Sequence, residues 1–405
     1  MSAQASNASE VPPERAPESP AKSPAESPSR RPSFAQRTRR RIPAFITAVL
    51  GALLFVALPF VAHRLDGSAD EFSSRSVPIL PAVGWMIVAG LGAVVVTHRV
   101  QMMFSVDEGS AVAVLYDVLP LLLFAAPVIA IWSLVSGHLL LAAAAAVLMA
   151  YQLVLVIPRL HRDPMPAWVH GAPSLRLLVA NVYVDNATPR AAAVQLLRSN
   201  ADVIVIAEAT PGFMSHFDAA GGTRTHPHRV LDPADTSDYA VAVASRLPLG
   251  AGSQMRMLGD LKLAVAEVQT KGVMVTVAAL NPMATFDPGG HETWKRQLEA
   301  LKEFVPTVSG PLVVAGDLNT TQFRPEFEDL LGSGLHDAID SLGQAWRPSF
   351  SLDSVWPLGA IGRIARLDHA LANDRIHALR VRNLRAKGSD HLPFLITLAL
   401  RSDGD

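Results

Sequence analysis

Near its C-terminal end the chain reads Gly388-Ser389-Asp390-His391-Leu392-Pro393-Phe394, a carboxylate beside an imidazole just ahead of an apolar run. Such a pair at the mouth of a strand can hold a metal ion with one side chain and a phosphate with the other. Two earlier stretches match it in kind. Gly316-Asp317-Leu318-Asn319 follows the run Pro311 to Ala315, and Arg366-Leu367-Asp368-His369 precedes a further apolar run. Three more polar residues stand where apolar runs end: Asn181 after Leu177 to Ala180, Glu208 after Val203 to Ala207, and Asn281 after Val275 to Leu280. These are carboxylates, amides and one imidazole, with no serine elbow and no glycine-rich phosphate loop. The set suits a hard divalent cation, Mg2+ or Mn2+, and a phosphate ester. Taken singly, each residue reads equally as a turn or capping residue. Their common placement at strand ends, where the active sites of layered α/β domains gather, favours the functional reading.

Composition narrows the chemistry. The 405 residues include no cysteine, which excludes disulfides, thiolate zinc sites and a cysteine nucleophile. A formal net charge of −1 gives no global field to gather a polyanion, so binding to long duplexes is not expected. Arg224, Arg229, Arg246 and Arg256 are the scattered cations open to a nucleic acid.

The elements that must position these residues lie beyond Ser174, where short β-type runs alternate with helical segments. Strands are predicted at Leu175 to Val182, Val203 to Ala207, Tyr239 to Ala244, Leu263 to Gln269, Val273 to Leu280, Leu312 to Ala315, Leu367 to Ala372 and Leu395 to Leu400. One helix is expected from Thr188 and Pro189 to Asn200, burying Val194, Leu197 and Ala201. A second carries Trp294, Leu298, Leu301 and Val305 on one face. A third runs from Pro325 to Gly332 with Phe327, Leu330 and Leu331 turned inward. His216, His226 and His228 read as solvated in a Gly- and Pro-rich stretch, His291 as a surface residue at a helix start, and His369 as turned away from Asp368.

The first half has another texture. Half of the sequence is hydrophobic and mean hydropathy is +0.27, more than an ordinary soluble enzyme shows. Residues 1–41 form a Pro-, Ser- and Arg-rich tail expected to be disordered. Apolar runs at 42–62, 77–97, 111–135 and 138–158 each approach the roughly 20 residues that cross a bilayer. Four spans make a multi-pass cell-membrane protein with the lipid bilayer as its partner, and a linker, 159–173, leads to the domain at 174–405. Arg37, Arg39, Arg40 and Arg41 before the first run, with Arg159 and Arg162 after the last, favour the cytoplasmic side for tail and domain on four spans, whereas on three spans the domain would face outward. Asp117, costly at a bilayer centre, is read as a boundary residue near one end of the third run. No obligate protein partner is evident.

From Ser174 onward the sequence resembles the endonuclease/exonuclease/phosphatase superfamily, whose fold is like that of pancreatic deoxyribonuclease. The resemblance rests on Asn181 in LLVANV, Glu208 in VIVIAEAT, the run VAVASRLP, Asp317 and Asn319 in VVAGDLN, Asp368 in ARLDHAL, and Asp390 with His391 in GSDHLPF. It implies an α/β (α+β) four-layer sandwich of two mixed β-sheets with helices outside, here preceded by an all-α transmembrane region. It further implies a metal-dependent phosphoric ester hydrolase, a nuclease or a phospholipid phosphodiesterase. Glu208, Asp390 and Asn181 would hold Mg2+ or Mn2+, and Asp317 would deprotonate the attacking water. Asn319 would bind a phosphate oxygen, and His391, kept cationic by Asp368, would stabilise the transition state. Asn281 stands where many members carry His or Tyr; it can bind phosphate but cannot act as an acid. That departure keeps open an alternative, a catalytically lapsed, membrane-tethered domain that binds or senses a phosphate ligand.

Overall fold

The computed structural model describes residues 79–104, 115–351 and 362–402. The tail and the run at 42–62 lie outside them. The helices named first among the described residues are α1 (Ile79–Phe104), α2 (Leu119–Leu122), α3 (Ala125–Val135) and α4 (Leu139–Val156). Two helical stretches, Ile79–Met102 and Leu139–Leu160, are long and apolar enough to cross a membrane, with mean hydropathies of 2.3 and 2.4. The expected continuous helix at 111–135 is instead short and interrupted at Leu123 and Phe124, between α2 and α3. What sets these helices apart is their outward face. Ile79, Val128, Val135, Val147 and Val154 stand exposed. An ordinary surface helix presents charge there.

The rest folds as a sandwich. One six-stranded sheet is ordered β13 (Ile376–Asn383), β14 (Phe394–Leu400), β1 (Ser174–Asn181), β2 (Val203–Ala207), β4 (Val241–Ser245), β3 (His228–Leu231). The other is ordered β5 (Gln254–Leu258), β6 (Leu261–Thr270), β7 (Val273–Leu280), β8 (Leu312–Asp317), β12 (Asp368–Ala372), β9 (His336–Asp337). Each is mixed. β1 runs parallel to β2 and β7 parallel to β8, while the other pairings are antiparallel.

Alternation along each strand explains the layering, because successive side chains point to opposite faces. In the first sheet Leu175, Leu177 and Val179 of β1 with Val203 and Val205 of β2 face the second sheet. Their neighbours Leu178, Ala180, Ile204 and Ile206 pack under α5 (Pro189–Leu197) and α6 (Pro211–Ala219). The second sheet answers with alanines and valines, Ala264, Ala266, Ala279, Ala315 and Ala370 beside Val268, Val275, Val277 and Val313. Its outer face packs under α8 (Gly290–Phe304) and α9 (Pro325–Leu331). The expected four layers are present.

Several expectations are corrected. α5 buries Ala192, Ala193 and Leu196, a face one residue off the expected one. Of the three histidines, His216 and His228 are exposed as expected, but the stretch forms α6, the short α7 (Gly222–Thr225) and β3, and His226 is fully buried with Nε2 3.2 Å from the Ala201 carbonyl. His291 is buried as well, stacked 6.2 Å from the Trp294 ring, because the helix start turns inward. β13 and β5 carry too many polar residues to read as strands from sequence. Asp117 is not merely at a boundary; it is ion-paired with buried Arg324.

Candidate active site

The registers decide where chemistry can occur. Asn181 ends β1 opposite Ala207, so Glu208 emerges beside it. Gly316 lies opposite Leu280, which sets Asp317 beside the start of the loop after β7, and Asp368 pairs with Asp317 across the antiparallel ladder. The carboxyl ends of both parallel pairs and the beginnings of β12 and β14 thus share one edge. Both sheets contribute to a single cluster.

Backbone conformation sharpens the aim. Glu208, Asn319 and Tyr183 have φ of 59°, 50° and 61°, values that non-glycine residues adopt at a cost and that gather at functional sites. Gly316 has φ of 148°, and a Cβ there would lie 2.0 Å from the Leu280 carbonyl oxygen. Gly316→Ala is therefore expected to destabilise the fold by about 2 kcal/mol or more, by prying β8 from β7. A thermal melt within about 2 °C of the wild type would contradict this.

Asn181 ties the two sheets together. Its Nδ2 donates to Glu208 Oε1 at 2.7 Å and to Asp317 Oδ2 at 2.9 Å, while its Oδ1 accepts from Tyr183 N at 2.9 Å. Asp317 Oδ1 accepts from Asn319 N at 2.8 Å, and Asn319 Nδ2 donates to the Pro282 carbonyl at 2.8 Å. Ser389 Oγ donates to the Asn181 carbonyl at 2.8 Å and accepts from His391 N at 3.0 Å, which locks the 388–391 turn onto β1. His391 Nδ1 sits 2.7 Å from Asp368 Oδ2, and its Nε2 is 3.6 Å from Asp317 Oδ2. The Asp368 backbone N–H in turn donates to Ser349 Oγ at 3.2 Å.

Six of the eight sequence-predicted residues are joined here, Asn181, Glu208, Asp317, Asn319, Asp368 and His391, and Asp390, the seventh, lies near enough for its charge to help raise the His391 imidazole. The eighth, Asn281, is buried nearby with Nδ2 donating to the Asp238 carbonyl at 2.9 Å. Its Oδ1 is without a hydrogen-bond partner among the described residues. His369 does turn away from Asp368. It is fully buried, Nδ1 2.9 Å from Asp337 Oδ2 and Nε2 3.0 Å from the Thr320 carbonyl. Sequence reasoning missed Ser349, Ser389, Trp294 and Arg324, whose contributions depend on contacts across long stretches of chain and leave no local pattern.

Electrostatics separate two regions. Burial, opposed by the hydrogen bonds from Asn181 and Val184, pushes Glu208 up to about 7. Burial also raises Asp317 above the ordinary carboxylate range, against the pull of His391. Two carboxylates converging on one amide nitrogen, both driven towards protonation, form a donor set that a divalent cation would relieve. Asp317, Asp368 and His391 also bring three ligand atoms within 4.8 Å of one another. That group fits a cation less well. Burial would lower His391, but the Asp368 and Asp317 carboxylates outweigh it and raise the imidazole to about 10, so the positive charge is already present.

Were Glu208 a ligand for the cation, its titration near 7 would make cation affinity fall by about tenfold for each pH unit below that value. Titration calorimetry with Mn2+ between pH 5 and 8 would measure it. A flat profile, or a Glu208→Gln variant with unchanged affinity, would remove Glu208 from the metal site.

No curated protein matches the chain. Among solved structures, humanized D. rerio TDP2 aligns at 15% identity and TM-score 0.46, covering 56% of this chain and 98% of that one. An endonuclease/exonuclease/phosphatase from Beutenbergia cavernae aligns at 20% and 0.42, covering 57% and 72%. Sphingomyelinase C from Streptomyces griseocarneus aligns at 17% and 0.42, covering 56% and 99%. The sequence itself is more decisive. The profile of one family matches residues 178–391, a stretch that takes in Glu208, Asp317, Asp368 and His391 and exceeds half the chain, and the protein is thereby a member of the Endonuclease/Exonuclease/phosphatase family.

Proposed function

We propose that the protein is a divalent-metal-dependent phosphodiesterase or phosphatase carried on a helical membrane anchor. The observation that carries this reading is the meeting of Asp317, held by Asn181 and Asn319, with the His391–Asp368 pair at one edge of the sandwich. Glu208, with Asp390 and Asn181, would hold Mg2+ or Mn2+, which supplies a Lewis acid for the phosphoryl group. Asp317 takes the proton of the attacking water. Asn319 keeps one N–H on the Pro282 carbonyl and offers the other to a phosphate oxygen. His391, with Nδ1 committed to Asp368, presents Nε2 to the charge that grows on the phosphoryl oxygens. Asn281 can steady the phosphate through its amide but gives the leaving group no proton. The products are an alcohol and a phosphomonoester or phosphate.

A phospholipid substrate is favoured over a nucleic acid. The apolar helices end on residues 321–324, immediately after Asn319, so the site sits one short loop from the proposed anchor. Hydrolysis by the full chain in micelles, with Mn2+ or with EDTA, tests the reading. The panel holds phospholipid, plasmid DNA, RNA and bis(p-nitrophenyl) phosphate. Metal-dependent turnover is expected, with phospholipid cut fastest. Metal binding without turnover of any member would favour the lapsed, ligand-binding alternative.

A further inference from the structure

The loop that follows Asn319 is held from outside the sandwich. Asp117, just before α2, accepts from both Thr321 N and Thr321 Oγ1 at 3.0 Å. The same carboxylate takes the guanidinium of Arg324, with Nε 3.0 Å from each oxygen and Nη2 on Oδ2. The Arg324 side chain is fully buried. His98 of α1 has Nε2 2.7 Å from the Phe323 carbonyl and Nδ1 2.8 Å from the Tyr151 hydroxyl of α4. Arg159 reaches the Gln322 carbonyl at 3.4 Å. Four consecutive residues, Thr321 to Arg324, thus each take a polar contact from helices that are otherwise apolar.

Arg324 passes this constraint inward by two routes. Its Nη2 donates to Thr285 Oγ1 at 3.1 Å, in the connection whose Pro282 carbonyl holds the Asn319 amide. Its guanidinium carbon also lies 4.9 Å from the centre of the Trp294 ring, and the Trp294 indole donates to the Leu318 carbonyl at 2.9 Å. Leu318 is the residue between Asp317 and Asn319. Both routes end on the turn that aims those two side chains.

From this path we infer that Asp117 is a positioning residue for hydrolysis: through Arg324 the helical bundle sets the 317–319 turn, so the bundle is part of the catalytic apparatus and not only its anchor. The inference rests on the hydrolase reading above. Docking strength alone does not account for the pair, since a buried ion pair is often no more stabilising than apolar residues of the same volume. What the fork adds is direction. A guanidinium gripped through Nε and Nη2 has its plane fixed, and the hydrogen bond to Thr285 and the contact with Trp294 both depend on that plane.

The test uses the full chain in micelles, with bis(p-nitrophenyl) phosphate and Mn2+, and compares Asp117→Asn, Asp117→Glu and Arg162→Gln. Arg162→Gln removes a contact between the stretch after the helices and the sandwich that does not touch the 321–324 loop, the hydrogen bond to the Leu379 carbonyl at 3.2 Å. Asp117→Asn is expected to lower kcat by about ten- to a hundredfold with KM within about threefold, the signature of a misplaced turn. Asp117→Glu should recover most of the loss, and Arg162→Gln should stay within about threefold of the wild type. Hydrogen exchange supplies the second readout: in Asp117→Asn, amides of 318–324 and 283–286 should exchange at least tenfold faster while β1, β2 and β14 are unchanged. Unaltered exchange in those two segments would overturn the inference. So would accelerated exchange through the whole sandwich, which would make the pair a general folding contact. If the wild type cuts nothing, the hydrolase reading fails by itself and the exchange comparison still decides whether Asp117 sets the turn.

Discussion

Asp317→Asn is expected to slow metal-dependent phosphodiester hydrolysis by about 10²- to 10⁴-fold, the range for loss of a general base. Asp317 is buried, and both carboxylate oxygens are already assigned: Oδ1 accepts from the Asn319 backbone, Oδ2 from the Asn181 amide. The substitution is nearly isosteric, but an amide cannot accept on both sides. One of its ends must face a donor, so a modest loss of stability should accompany the loss of rate. Asp317→Ala separates the two effects, because it removes the base without placing a donor against Asn181. Both variants should lose the rate together. The base acts when ionised, and burial lifts its titration above the usual carboxylate range, so the acid limb of kcat/KM should lie correspondingly high. Turnover within tenfold of the wild type in either variant would take Asp317 out of the chemistry.

His391→Ala should cost about 10²- to 10³-fold in kcat, as expected for losing a preorganised charge on the phosphoryl oxygens. The sharper measurement is the alkaline limb. Burial opposes the charge on His391, but Asp368 and then Asp317 overcome it and raise the imidazole to about 10. The cation therefore persists through neutral pH, and the rate should fall only as pH approaches 10. The sign for stability agrees. A histidine raised from its ordinary 6.5 contributes stability that is fully present below 6.5 and is lost as pH rises through about 10. Asp368→Asn removes the largest raising influence, so the alkaline limb should move towards neutrality and the decline of Tm with rising pH should begin earlier. An unchanged rate profile in Asp368→Asn would show that His391 does not act as a cation.

Much of this site could be read from the sequence because each residue ends or begins a strand, and strand ends carry their own signal. Val203 to Ala207 and Val273 to Leu280 match the structure residue for residue, being apolar runs, the second interrupted only by Thr276, closed by polar residues. β13 escaped because an edge strand with Arg380, Arg382 and Asn383 on its open side has no such run. His226 and His291 were misplaced for a related reason: sequence does not reveal that a neighbouring carbonyl or indole covers an imidazole. The link from Asp117 to Arg324 was wholly illegible. It joins positions 207 apart, and neither has a local pattern that names its partner.

The contrast between the two inner faces reaches beyond packing. Leu, Val and Ile of the first sheet rest on alanines and valines of the second, and the 2.9 Å hydrogen bond from Asn181 to Asp317 spans the seam between them. The sandwich is in effect a caliper whose jaws are these two residues and whose gauge is the bulk of those small side chains. Enlarging Ala266 would widen the jaws, so the chain can lose its chemistry through a methyl group too many in the core while remaining folded. Tolerance to substitution at these alanines should accordingly be narrower for turnover than for stability.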